Sequence, residues 1–393
     1  MRTLWIVAAA FALIACASEA TRPVPTRTDS AGVSVVSHAA LDTTLQWTLT
    51  DPPFLSIGVI EGDDPYLFSG ISGIARLSDG RIAVGEARAQ DIRIFDGSGR
   101  FVSRMGGIGE GPGEFRYLQW FRVVRGDTIL AWDGRLRRFT SFDHHGDVLR
   151  TSTPVVPTRA ELWSAVDLFS DRSLVIRLAT SKPPAEVATM LEDTALYARW
   201  HPASPHDIRE LLRLPVRSVY IDSDGVYWPV GFMPHHALVA AGDRVYSIEG
   251  DDFEIREHDT NGELRLVVRV NGEKWTIPPA ALQLYKDSVI AAAGSPLAEG
   301  YVSEVLGEMP FPETYPALDR IHVDTRGRLW VREYPRPSLP EHRWHIFDLT
   351  GEHQGSLRVP VELEILAIRS DTLLGQWTDQ LGVVSVRGYA ILW

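Results

Sequence analysis

The chain of 393 residues contains a single cysteine, Cys16, which excludes an internal disulfide, a thiolate metal cluster and a redox pair. Lysine stands only at 182, 274 and 286, so nearly all of the 39 basic residues are arginine, a compositional bias and not a site. Asparagine occurs only at 261 and 271. Acidic residues number 51 and the formal charge is −12, which argues against a nucleic-acid partner. After the first fifteen residues no stretch approaches 18 consecutive apolar residues, so no membrane-spanning helix is expected. There is no Gly-x-Ser-x-Gly elbow and no His-Glu-x-x-His. The glycine run 106–113 lacks dinucleotide-fingerprint spacing and precedes a strand, so phosphate cradling is not expected there. What is abundant is apolar surface, at 45% of residues, punctuated by 32 Gly and 25 Pro. That is the composition of a globular chain with a large core and many turns.

Met1-Arg2 leads into an apolar run from Leu4 to Ala15, too short for about 30 Å of hydrocarbon but suited to a secretory signal. The run ends Leu13-Ile14-Ala15-Cys16, which resembles the lipobox of bacterial lipoproteins; the alternative is an ordinary signal peptide with a chance Cys. The resemblance implies a signal peptide over residues 1–15 and a Cys16 that is acylated through its thiol and becomes the first residue after cleavage. With Ala17 next to it, the resemblance further implies an outer-membrane lipoprotein facing the periplasm. Acyl chains hold a protein at a bilayer at about 0.8 kcal/mol per buried CH₂, so the membrane is an expected partner. Residues 16–31, with Pro23 and Pro25 among Thr, Arg and Ser, are expected to be a flexible tether with a reach on the order of 20 Å.

A tight polar turn followed by a β-rich run recurs six times, before Ile82, Ile129, Leu174, Val245, Leu329 and Leu373. The spacings are 47, 45, 71, 84 and 44 residues, so two of them carry insertions. A second turn recurs in phase, an aromatic or His, then Asp, two residues and Gly: Phe95-Asp96…Gly99, Phe142-Asp143…Gly146, His258-Asp259…Gly262 and Phe347-Asp348…Gly351. Asp bonds the backbone two residues on and Gly takes φ > 0, which such a hairpin requires. Each repeat therefore reads as four antiparallel strands, and a radial array of such sheets is a β-propeller. Trp132, Trp330 and Trp377 fall in second strands, where large rings pack blade on blade.

The fold expected is all-β: residues 32–393 form a six-bladed β-propeller closed by an N-terminal strand, and the strand-like 32–36 is expected to supply the fourth strand of the last blade. A seventh blade from residues 32–70 is the alternative. Between repeats four and five the excess length has helical punctuation, with Thr276 as a cap before Pro278-Pro279 and Leu282, Tyr285, Val289 and Ala292 on one face. Two short helices, about 279–293 and 297–308, are expected within an insertion over about 277–310, acting as a plug or as a lid over the channel mouth.

The repeats resemble the six-bladed propellers related to NHL repeats, common among bacterial secreted lipoproteins. The resemblance is carried by Asp79-Gly80-Arg81-Ile82-Ala83-Val84, Ile92-Arg93-Ile94-Phe95-Asp96 and Gly107-Ile108-Gly109-Glu110-Gly111-Pro112-Gly113-Glu114-Phe115. It implies the fold and not an activity, since such propellers include scaffolds, sensors, hydrolases and lyases.

The polar turns mark one face of the disk. The opposite face, with its longer loops and blade-to-blade crossovers, is where a pocket is expected. Its candidate ligand-binding residues are Glu86, Arg88, Glu110, Glu114, Asp133, Arg135, His236 and Arg336, with Asp91, Glu249, Asp251-Asp252, Glu333 and Asp379 nearby in the pattern. His235-His236 is the best lead for zinc, although packing is the simpler role for either. Lactonase-type propellers commonly hold a channel Ca²⁺ with Asn; here both Asn residues read as near hairpins of the other face, which weakens that reading. No cofactor is expected. Two functions remain open: a monomeric, non-enzymatic binder of an envelope protein, peptide or glycan on the channel face, and a metal-assisted hydrolase or lyase using His235 or His236 with Glu110, Glu114 or Asp133.

Overall fold

One local device recurs through the chain. At Asp96, Asp143, Asp222, Asp259, Asp324, Asp348 and Asp379 the side-chain Oδ1 accepts the backbone N–H groups two and four residues on, at 2.8–3.1 Å. The Gly three residues after each Asp has φ between 79° and 97°. The side chain thus satisfies the turn's own donors, and the glycine supplies the conformation that other residues resist. In a computed structural model, which describes residues 23–393 apart from 157–159, 181–185, 192, 217 and 338, all of these turns but the one at Asp222 join short antiparallel strands into the blades of a propeller.

Blade one is Ile71–Arg76, Ile82–Glu86, Asp91–Phe95 and Phe101–Gly106. Blade two runs over 118–152, blade three over 160–216, blade four over 237–270 and blade five over 318–360, each as four paired strands. Blade six has three strands of its own, Leu363–Ile368, Thr372–Thr378 and Val384–Leu392. The six expected second-strand starts all fall within one residue of the observed strands.

Six clusters of buried apolar side chains each straddle two neighbouring blades and so close the ring. Ile92 and Ile94 meet Phe121 and Ile129 between blades one and two. Phe139 stacks on Trp200 at 5.3 Å between blades two and three. Val175 and Tyr197 meet Ala240 and Val245, and Tyr246 and Val268 meet Leu318 and Leu329. Trp330 and Trp344 meet Leu363 and Leu373, and Leu374 and Val386 meet Ile74 and Val84. Each fully buried side chain of this kind contributes roughly 1.5–3 kcal/mol. Trp132 and Trp330 are buried in such interfaces, as their placement in second strands required, whereas Trp377 is only partly buried.

The closure differs from the one expected. The fourth strand of blade six is Leu55–Ile57, antiparallel to Val384–Leu392 with Ile57 opposite Val386 and Leu55 opposite Gly388. The expected closing strand, 32–36, lies in Val33–His38, which pairs in parallel with the outer strand of blade four, Leu264–Val270. Between the two, Gln46–Leu49 bridges the outer strand of blade five, in parallel, and the end of Val384–Leu392. The N-terminal segment is therefore a strap that covers the outer edges of blades four, five and six in turn. The physical reason is chain direction: the closing strand is antiparallel to Val384–Leu392 and leads by one crossover into the inner strand of blade one, and Leu55–Ile57 is the last strand before it. Residues 32–70 form no seventh blade. The stretch read as a tether, 16–31, also ends in structure, because Thr26–Ser30 forms a hairpin with Val33–His38. The expected signal peptide and Cys16 lie outside the described residues.

Two helices, α1 (Pro279–Ala291) and α2 (Pro296–Glu308), occur where the insertion was expected. Pro278, not Thr276, stands at the α1 cap, and Thr276 instead bridges to Thr314 at the base of the insertion. The helices rest on a small sheet that was not expected, made of Thr189–Met190, Val219–Ile221 and Tyr227–Pro229. Val302, Val305, Leu306 and Met309 pack there on Tyr220 and Val230, and Tyr301 donates to the Asp222 carboxylate. The two long spacings in the sequence are thus one unit in space.

Five histidines are pushed toward the neutral form by burial. Burial pulls His353 down to about 4 and His322, stacked on Trp344, to about 3. Burial moves His236, His258 and His342 in the same direction. A histidine whose folded pKa lies below about 6.5 lends stability above that pH and loses it as the pH falls through the folded value, because only the unfolded chain takes up the proton. Asp91 and Glu257, raised by burial, act in the opposite sense, while carboxylates held below their ordinary values, Glu86 and Glu333 among them, act with the histidines.

Two outcomes follow. Melting temperature should fall as pH is lowered from about 6.5 toward 4.5, and His353→Gln should flatten that slope in a melting series across the range. At Gly58, with φ 126°, an added Cβ would lie 2.9 Å from the Ser385 and Val384 backbone of the closing pair. Gly58→Ala should cost about 2 kcal/mol or more in denaturant unfolding. Gly32→Ala, also at positive φ but in open space, should cost less.

Candidate functional site

Most of the candidate side chains hold the propeller itself together. Glu86 and Asp133 end the second strands of blades one and two and are buried. Glu86 accepts the N–H and Oγ–H of Ser69 and the N–H groups of Arg88 and Ala89. Asp133 accepts the N–H groups of Arg116, Arg135 and Leu136. Each carboxylate thereby ties its own turn to the crossover leading into its blade. Burial alone would raise Glu86, but the hydrogen bonds from Ala89 and Ser69 outweigh it and hold its pKa below the ordinary value. Arg88 and Arg135 contribute their backbone N–H groups while their residues stay exposed.

The glycine-rich crossover is also self-contained. Glu110 pairs with Arg116 at 2.9 Å, Glu114 accepts from the Gly111 N–H, and Arg138 donates to the carbonyls of Glu110, Gly111 and Glu114. His236 donates from Nδ1 to the Pro215 carbonyl and accepts the Tyr197 hydroxyl proton at Nε2, 2.6 Å away. Both of its nitrogens are engaged by packing partners, while His235 is exposed. Glu110 and Asp133 meet through Arg116 at the crossover into blade two, while Glu86 lies on blade one and His236 at the entry to blade four. Among the described residues no group of three His, Cys, Asp or Glu side chains could hold a metal ion.

Arg336 is the exception. It lines a cavity of about 670 Å³ on the face opposite the polar turns, between blades four and five. One wall is the second-to-third turn of blade four, Asp251 to Glu254, with the end of its outer strand and the root of the insertion, Arg269 to Trp275. The other is Glu333, Tyr334 and Arg336 with Arg343 and His345 of blade five. Tyr315 to Ala317 and the strap residues Ala40, Leu41 and Thr43 complete it. The Ala317 N–H bonds the Gly250 carbonyl at 2.7 Å and the Tyr334 N–H bonds the Ala317 carbonyl, so the backbone of both blades fixes the shape.

The charges in the groove neutralise each other. Glu333 accepts from His345 Nε2 at 2.9 Å and from Arg336 at 3.1 Å, with Arg343 at 3.5 Å. Burial would push its carboxyl up, but His345 and the two guanidiniums hold it below the usual range. A carboxylate so held is ionised near neutral pH, and so it is not a proton donor. His345 in turn accepts from the Ser356 hydroxyl at Nδ1. Lys274 pairs with Asp252 at 2.9 Å, which raises the Lys274 pKa, and Arg269 pairs with Glu254. Trp275 is 56% exposed and lies under the Arg336 guanidinium, 4.3 Å from its ring centroid. Burial pushes the Tyr334 hydroxyl up to about 12.

Sequence reasoning named Arg336, and noted Glu333 and Asp251-Asp252, but missed Trp275, Tyr315, Tyr334, Lys274, Arg269 and Arg343. The available signal was Trp275, a large ring in the polar run Asn271-Gly272-Glu273-Lys274. Asn271 itself lines the groove, with its N–H bonded to the His38 carbonyl, and is not near a hairpin of the other face as expected.

A family model described as a 6-bladed beta-propeller matches residues 55–158. No curated protein matches the chain. Among solved structures, a member of the DUF4221 family from Bacteroides vulgatus is similar at 11% identity and a TM-score of 0.52, over 88% of this chain and 98% of that one. A Bacteroides fragilis protein described as exported aligns at 13% identity and a TM-score of 0.48, over 88% and 99%. Virginiamycin B lyase from Staphylococcus aureus aligns at 10% identity and 0.43, over the same shares. The likeness to the DUF4221 protein is one of fold, and with the family-model match and the ring of blades it makes the chain a six-bladed β-propeller.

Proposed function

We propose that this chain is an envelope-anchored lipoprotein whose propeller captures a protein, peptide or glycan segment in the groove between blades four and five, without catalysing its conversion. The observation that carries the reading is the groove itself: a cavity of about 670 Å³ with an exposed Trp and many polar side chains already fixed by partners. Its volume is in the range of ligand sites, about 300–1,000 Å³. A binding site is favoured by side chains held rigid before the ligand arrives, which the groove has, and its pKa shifts carry Glu333 down and Tyr334 up, away from neutrality, the reverse of what proton transfer near neutral pH uses.

The strap adds support. Thr26 is level with Ser37, and Ser37 with Arg269 of the groove wall. The chain preceding Thr26 therefore leaves the propeller beside the groove, on the same face. If Cys16 carries the acyl chains, the ten residues from 16 to 25 hold the groove within about 35 Å of the bilayer, since each residue spans at most roughly 3.5 Å.

Two experiments test the reading. Cys16→Ala should abolish labelling by radioactive palmitate and move the chain from the membrane to the soluble fraction; labelling retained by that variant would overturn the anchor. In pull-downs from envelope extracts with the full chain in detergent, Arg336→Ala should reduce capture by about tenfold, equivalent to ~1.4 kcal/mol. Arg88→Ala, a change on the far side of the ring, should leave it unaltered. Equal recovery by the native chain and Arg336→Ala would remove the groove from the function.

A further inference from the structure

We infer that the occupant of the groove is a neutral, hydroxyl-rich saccharide, with one pyranose ring laid on the open face of Trp275. This rests on the groove reading above and names its ligand class.

The first argument is charge. Five acidic and four basic side chains line the groove, so it has no strong field of either sign. The bases are already matched: Lys274 to Asp252, Arg269 to Glu254, and Arg336 and Arg343 to Glu333. An anionic ligand would have to break these pairs in a chain of net charge −12. A cationic ligand stacked on Trp275 would face the Arg336 guanidinium across the same ring. A polyol has neither difficulty. Its neighbouring hydroxyls both donate and accept, and so they complete the unused lone pairs and N–H groups of paired carboxylates and guanidiniums without separating them.

The second argument is the platform. Arg336 covers one face of the Trp275 indole at 4.3 Å and is itself largely buried against Glu333. The ring is thus held from beneath while 56% of the residue remains exposed. A flat, preorganised aromatic face suits the C–H face of a pyranose, which is apolar, while the hydroxyls at the ring edge reach the polar walls.

The third argument concerns the edges. An extended peptide usually binds by adding a strand to a free sheet edge. The two outer edges nearest the groove are occupied, that of blade four by Val33–His38 and that of blade five by Gln46–Leu49. The free edge that the strap leaves, Thr26–Ser30, is separated from the outer strand of blade four by Val33–His38, so a peptide pairing there would have two strands between it and the groove wall.

The test uses the full chain in detergent and an array of short neutral gluco-, manno- and galacto-oligosaccharides, beside uronic-acid and sulfated oligosaccharides and a set of neutral and basic peptides, with calorimetry on any hit. Neutral oligosaccharides should bind, Trp275→Ala should weaken them by about tenfold or more, and Trp275→Phe should restore most of the affinity. Trp275 is exposed, so the fold should persist in both variants, as unchanged melting would verify. Binding of charged oligosaccharides or peptides alone, or neutral binding indifferent to Trp275→Ala, would overturn the inference. If envelope capture still depended on Arg336 in that event, the groove would stand and only the ligand class would fall. If capture were indifferent to Arg336 as well, the groove reading would fall with it.

Discussion

A ring of sheets has one place where the chain cannot rely on its neighbour in sequence, and here that place is held by three residues, Leu55–Ile57. Their backbone pairs with Val384–Leu392, and the side chains of Leu55 and Ile57 enter the cluster that joins blade six to blade one. All the other blade interfaces form between segments that follow each other along the chain. This one joins residues separated by more than three hundred positions, so its loop-closure cost is the largest in the molecule. The strap lowers that cost by stages. Val36, buried in the cluster between blades four and five, and Trp47, set edge-on against Trp330 at 5.4 Å, seat the chain on two earlier edges before it reaches the closing strand. At Gly355, where the outer strand of blade five passes under Trp47, an added Cβ would lie 2.3 Å from the indole nitrogen. The seat is close enough that only glycine fits.

How much of this could be read from the sequence depends on how local each interaction is. The Asp-x-x-Gly turns were legible because the carboxylate bonds its own next few residues, so the chemistry and its spacing lie within five positions. The blades were legible for the same reason, and the helices because their apolar spacing is periodic. The closing strand was not. Leu55-Ser56-Ile57 is too short to show a period, whereas Val33-Ser34-Val35-Val36 has the β-branched pattern and attracts the assignment. Its destination is decided instead by direction and distance, which composition does not record.

The candidate site follows the same rule in the other direction. Glu86 and Asp133 drew attention as carboxylates on the face opposite the polar turns, and they stand there at the ends of second strands. Their neighbours use them, however, for backbone N–H groups in adjacent turns and crossovers. A charged residue in a tight loop has many such donors within reach, and burial without a partner would cost several kcal/mol. Structural satisfaction is therefore its default use. Arg336 differs because only one of its two contacts is local: Glu333 stands three positions before it, but the Trp275 ring comes from sixty-one positions before it. No window of sequence contains both halves of the groove.

Departures from repeat symmetry in this propeller are concentrated in one region. The strap first joins the ring at the outer edge of blade four, the helical insertion springs from the crossover between blades four and five, and the groove opens between those same two blades. A symmetric ring presents the same interface six times, and an identical interface offers nothing on which a ligand could choose one position. Selectivity needs residues that only one of the six positions has. Here they come from outside the repeats: Leu41 and Thr43 from the strap, and Lys274, Trp275 and Tyr315 from the two roots of the insertion. The blades contribute rigidity and the paired charges beneath, and the additions contribute the aromatic face and the rim. The division of labour explains why the blade pattern located the fold and not the site: the residues that make the groove particular are those the repeat does not contain.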